Sequence, residues 1–99
     1  MQHTDLILTT IIEETYLSLE QLAGICAVEP QWVLQHMQDG LLLADRQQNG
    51  LSYFSAIQLT RAKRILAIER NFEAQPELAA LVADLQEELD SLRRQLLRS

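Results

Sequence analysis

The chain has 99 residues, 47 % of them hydrophobic, and a formal net charge of −6 with a pI near 4.7. A general grip on phosphate backbones needs several Lys or Arg contacts, so this balance argues against nucleic acid and favours solubility and basic partners. Cys26 is the one cysteine, which excludes an internal disulfide and a cysteine-based zinc site, and no run reaches the roughly 20 apolar residues that span a bilayer.

The first element is the branched apolar run Leu6–Ile12, read as a strand, with a helical start as its competitor. Asp5 precedes it and Glu13-Glu14 ends it, unlike a secretory signal, so a cytoplasmic location is expected. Ser18-Leu19-Glu20-Gln21 has the capping-box form, and Leu19, Leu22, Ala23 and Cys26 mark one helical face behind it. Pro30 restarts a helix whose inner face is Trp32, Val33, His36 and Met37, and Asp39-Gly40 ends it. Joined by Ala27-Val28-Glu29, the two form a helix-turn-helix candidate.

Leu41–Arg46 and Leu51–Phe54 read as strands around Gln47-Gln48-Asn49-Gly50, a hairpin signal because Asn and Gly tolerate positive φ. Ser55-Ala56-Ile57-Gln58 again resembles a capping box. Ile57, Arg61, Ile65, Ile68 and Phe72 follow at helical spacing, with Arg61 the polar exception. After Pro76, Leu78, Leu81, Leu85, Leu89, Leu92 and Leu96 recur at an average step near 3.6 residues, backed by Val82 and Leu97. A leucine seam on a terminal helix calls for another helix, so these six leucines are the expected dimerisation surface. Folding back onto the chain's own helices is the alternative. The expected organisation is residues 1–75 as one domain and residues 76–99 as an appended helix.

Charge is uneven. Residues 1–50 carry seven acids against Arg46 alone. Residues 51–75 are net basic through Arg61, Lys63, Arg64 and Arg70, and residues 76–99 are net acidic. Arg93, Arg94 and Arg98 suit the negative end of a helix dipole.

The chain offers little for catalysis. His3 and His36 are the only histidines, and no metal-ligand set surrounds His36, which reads as a packed or surface residue. Cys26 reads as a small core residue. No phosphate loop, nucleophile elbow or dinucleotide fingerprint occurs. No enzyme activity, cofactor or metal is expected.

In order and spacing, Leu22-Ala23, Val28, Val33, Gly40-Leu41-Leu42, Arg46, Gly50 and Phe54 resemble the N-terminal half of the MerR-type winged-helix family. The resemblance covers residues 17–72 and implies a mainly α fold: a winged helix-turn-helix with a small β wing and a long C-terminal dimerising helix. The departures carry as much as the matches. Counted from Gly40, the family's second-helix arginine, aromatic pair and acid fall on Leu34, Gln35-His36 and Met37. The arginine two places after the hairpin glycine is Ser52, and the helix-turn-helix glycine is Ala27. Two phosphate-binding arginines are thereby lost, and with them the contacts that fix such a fold on DNA.

A compact acidic chain of this kind is similar to the CbpM-type chaperone modulators, a match that extends to Arg61-Ala62 and Leu92-Arg93-Arg94-Gln95-Leu96. The resemblance implies a protein that binds the J-domain of a CbpA-type, DnaJ-like co-chaperone and blocks its stimulation of an Hsp70. J-domains present a basic helix, which suits an acidic modulator. The expected partner face is on the second helix. Leu34 stands where the family's arginine points outward, Gln31 and Gln35 flank it, and Glu29 lies at its start. Trp32 is either an interface anchor or a core residue between the two helices. The rival readings are a DNA-binding MerR-type regulator, supported by the four cations of residues 51–75, and a structural partner helix using only Leu78–Leu97.

Overall fold

The computed structural model describes residues 15–98. The expected strand Leu6–Ile12 and His3 lie outside them. Within them the protein is mainly helical with one small antiparallel sheet: β1 (Leu17–Ser18), α1 (Leu19–Cys26), α2 (Pro30–Gln38), β2 (Arg46–Gln48), β3 (Leu51–Phe54), α3 (Ala56–Phe72) and α4 (Pro76–Arg98).

Local chemistry sets most boundaries. Ser18 closes a reciprocal box at the start of α1: its Oγ accepts from the Gln21 N–H at 3.1 Å, and its own N–H donates to Gln21 Oε1 at 2.9 Å. Ala27 ends α1 in the left-handed region (φ 57°), a conformation that favours glycine. Pro30 opens α2, and Gly40 closes it at φ 76°, letting the Leu41 N–H reach the His36 carbonyl at 2.8 Å.

The hairpin forms with Asn49 and Gly50 as a two-residue turn, both at positive φ, and Gln48 opposite Leu51. Its first strand shares only Arg46 with the expected Leu41–Arg46 and takes in Gln47 and Gln48, which were expected in the turn. The Leu41 and Leu42 N–H groups go to the His36 carbonyl and the Leu43 N–H to Gln58 Oε1, so pairing with β3 begins only where the Asp45 N–H donates to the Tyr53 carbonyl at 2.9 Å. The third strand is β1, which pairs with β3 through Leu17 opposite Phe54 and gives the order β1-β3-β2.

At α3 the second expected capping box does not form. The Ser55 N–H donates to Asp45 Oδ2 at 2.7 Å, Gln58 serves Leu43, and the buried Ser55 Oγ has no partner. The inner face of α3 is also rotated from the expected stripe. Ala62, Ile65, Leu66 and Ile68 are buried, whereas Ile57 and Phe72 are about three-quarters exposed. The helix is contacted by both α1 and α4, so its buried face is wider than one stripe and turned toward Ala62 and Leu66.

After Glu73, again left-handed (φ 49°), α4 turns back along α3. It packs through its small residues: Ala79, Ala80 and Ala83 are buried and belong to one continuous core with Leu22, Val33, Leu42, Phe54 and Ile65. Small side chains let two helices approach closely, which is why alanines rather than leucines fill this contact. At 100° per residue the leucine stripe lies roughly 150° around the helix from Ala83. Leu78, Leu81, Leu85, Leu89, Leu92 and Leu96 are accordingly between 46 % and 74 % exposed.

Candidate functional site

The residues expected to meet a partner sit on α2, but they look in three directions. Val33 and His36 are buried, and Trp32 and Met37 are half-buried beside them. Gln31, Leu34, Gln35 and Gln38 form the opposite, exposed face. This face carries no charge, and exposed carboxylates sit at both ends of the helix, in Glu29 and Asp39. Gln35 is held in place by a 3.2 Å bond from its Nε2 to Asp39 Oδ1.

Trp32 turns toward α3. Its Nε1–H donates to Glu69 Oε1 at 3.0 Å, and its ring stacks on His36 with centroids 3.8 Å apart. His36 Nδ1–H donates to the Trp32 carbonyl at 2.7 Å, because a carbonyl can only accept. Its Nε2 lies 2.6 Å from Glu69 Oε2. The residue at the centre of this network, Glu69, was not singled out by sequence reasoning. It is 33 positions from His36, and nothing local marks it.

Two clefts border α2. One, about 530 Å³ and open, is lined by Val28, Glu29, Trp32, Leu66, Glu69 and Arg70. The other, about 220 Å³, lies between the start of α1, α2 and the hairpin tip. It is walled by Leu19, Leu34, Met37 and Leu51, with Ser18, Glu20, Gly50 and Ser52 around it. The five expected partner residues therefore divide. Glu29 and Trp32 border the first cleft, Leu34 borders the second, and Gln31 and Gln35 lie on the exposed face. Leu51, missed as a site residue, is 59 % exposed at the hairpin tip. An apolar residue next to Asn49-Gly50 was the available signal.

The basic stretch on α3 is largely neutralised. Arg61 donates through Nε to the Leu41 carbonyl at 2.8 Å and through Nη1 to Asp84 at 2.6 Å and Glu87 at 3.0 Å. Burial works against its charge, but the bonds to Glu87 and Asp84 prevail and raise its pKa. Arg64 is paired with Asp90. The hydrogen bond from Arg64 is the main reason the Asp90 carboxyl lies below its ordinary range. Arg46 stands over the Tyr16 ring, 4.6 Å from its centroid. Burial, partly opposed by Lys63, pushes the Cys26 thiol up, which keeps it protonated and inert.

Among the described residues no cluster of three His, Cys, Asp or Glu is placed to hold a metal ion. None of their helices is long and apolar enough to cross a membrane. Comparison with known proteins finds no matching family model, no similar curated protein and no similar solved structure.

Proposed function

We propose that this chain is a cytoplasmic regulatory protein of the MerR-like winged-helix type, with β2 and β3 as its wing. It acts by binding the J-domain of a CbpA-type co-chaperone, which blocks that domain's stimulation of an Hsp70. It acts by occupancy, with no catalysis.

One observation carries the reading. The exposed face of α2, where a helix-turn-helix protein reads DNA, holds Gln31, Leu34, Gln35 and Gln38 between two carboxylates, with no cation. Phosphate binding would need the reverse. Two of the four cations behind the hairpin, Arg61 and Arg64, are occupied by carboxylates of α4. The DNA-binding reading keeps Lys63 and Arg70, fewer than a duplex-binding face uses.

Self-association through α4 belongs to the same proposal. The seam Leu78, Leu81, Leu85, Leu89, Leu92 and Leu96 is exposed and continuous. Acids Glu77, Asp84 and Glu88 precede bases Arg93, Arg94 and Arg98 along the helix. Two copies running antiparallel would set each basic end against an acidic one.

The test is a titration of the full chain with a CbpA-type co-chaperone and, separately, with duplex DNA over a series of salt concentrations. The expected outcome is saturable co-chaperone binding that lowers Hsp70 ATPase stimulation, with no DNA binding above a non-specific background of roughly 10⁻⁴–10⁻⁶ M. Submicromolar DNA binding with a steep salt slope, and no response to the co-chaperone, would reverse the assignment.

A further inference from the structure

We infer that the cleft between the start of α1, α2 and the hairpin tip is the recognition pocket for the partner. It seats one aliphatic or aromatic side chain from a basic helix of the J-domain, with a Lys or Arg of the same helix meeting Glu20. This rests on the J-domain reading and adds where, and by what chemistry, the domain is held.

Size comes first. Small-molecule sites run roughly 300–1,000 Å³. At about 220 Å³ this cleft falls short of that range and suits a single side chain. Its walls are aliphatic or thioether side chains, Leu19, Leu34, Met37 and Leu51, without a charged group among them. Met37 can adapt its shape to different occupants.

Convergence comes second. Leu34 is 37 % exposed on α2 and Leu51 is 59 % exposed on the hairpin. A lone exposed leucine needs no explanation. Here two, from separate elements, face one cavity. Gly50, at φ 77° in the turn, borders the cleft and faces open space.

Charge selects the occupant. The ionic group at the cleft is Glu20, and Glu29 and Asp39 stand exposed on the same helix-turn-helix unit. Among the described residues every base lies on α3 or α4 except Arg46, which is engaged with Tyr16 at the far end of the hairpin from Leu51. A carboxylate beside an apolar slot, with no base near it, attracts a cationic amphipathic helix and repels an acidic one. The chain's own apolar run, Leu6–Ile12, is bounded by Asp5, Glu13 and Glu14, so its charge matches that of Glu20 and disfavours it as the occupant.

The experiment uses the full chain and a full-length CbpA-type co-chaperone, with affinity read by calorimetry and folding by thermal melts. Leu51→Ala and Leu34→Ala should each weaken binding by about tenfold or more. Leu43→Ala, at a leucine that is more exposed (65 %) but outside the cleft, should leave it unchanged. Glu20→Gln should weaken binding and flatten its salt dependence. Retained affinity in both leucine variants, with wild-type binding intact, would overturn the pocket while leaving the J-domain reading standing. A fall in melting temperature for Leu51→Ala without a change in affinity would also overturn it, because the cleft would then be filled by the chain itself. No binding by the wild-type chain would remove the reading and the pocket together.

Discussion

Helix α3 is held by polar contacts on two sides, and the two sides differ in kind. Toward α2, one carboxylate, Glu69, receives the Trp32 indole and the His36 ring in a site where His36 is 4 % exposed. Toward α4, two arginines meet three carboxylates, and Asp84 is more than half exposed. The second seam has more charge, but solvent screens it, and its fixed geometry comes from Ala79, Ala80 and Ala83. The first has less charge but is less exposed, the Glu69 side chain being 15 % accessible. The inner seam therefore sets which face of α2 is presented, and the outer one removes Arg61 and Arg64 from the surface available to phosphates.

The largest effect should come from cutting the inner seam. Glu69→Ala strands the Trp32 Nε1–H and the His36 Nε2 without partners. Leaving buried polar groups unsatisfied costs about 3 kcal/mol here, which lowers the thermal midpoint by roughly 12–24 °C in a domain of this size. Glu69→Gln keeps one acceptor oxygen and should lose less. A drop below about 1 kcal/mol for the alanine variant, read by denaturant unfolding, would show that water replaces the carboxylate and would erase the contrast.

Much of the scaffold was legible because it is written locally. The Ser18 box, Pro30, Gly40 and the Asn49-Gly50 turn each act within a few residues, and each formed as expected. The failures have one source, competition from distant partners. Ser55 carries the same signature as Ser18, but Asp45 takes its N–H and Leu43 takes Gln58. The stretch Leu41–Leu43 has strand-forming composition, but its donors are claimed by His36 and Gln58. Of the candidate site, the exposed face of α2 was visible from helical periodicity. The second cleft was not, because Leu34 and Leu51 meet only after the hairpin folds over α1 and α2.

Two faces of α4 sharpen the comparison next. Ala83 is fully buried against α3, so Ala83→Leu forces extra methylenes into a close helix contact. Overpacking of this kind costs about 1–3 kcal/mol. Leu85→Ala lies on the opposite face and 57 % of Leu85 is exposed. It should leave the melt of a dilute monomer nearly unchanged while shifting the monomer–dimer equilibrium toward monomer in sedimentation. Because residues 76–98 supply part of the core, deleting the helix would confuse these two effects, and point substitutions keep them apart.

The smallest effect belongs to the outer ion pairs, and its pH dependence identifies its origin. The Arg64 hydrogen bond, opposed by desolvation and aided by the charges of Arg64, Arg93 and Arg94, depresses the folded-state pKa of Asp90. A carboxylate with a depressed folded pKa contributes stability that is complete above its unfolded value, about 3.9, and is lost as pH falls through the folded value. Asp90→Asn should therefore melt slightly below wild type at pH 7, and the gap should close on acidification below that range. It should also shrink at about 1 M salt, where screening acts within roughly 3 Å. A gap that persists in acid and in salt would mean that Asp90 acts through packing and that α3 and α4 are joined by the same kind of contact as α2 and α3. The variant also releases Arg64. If the bare face of α2 is what denies this fold to DNA, that one freed cation should not restore duplex binding.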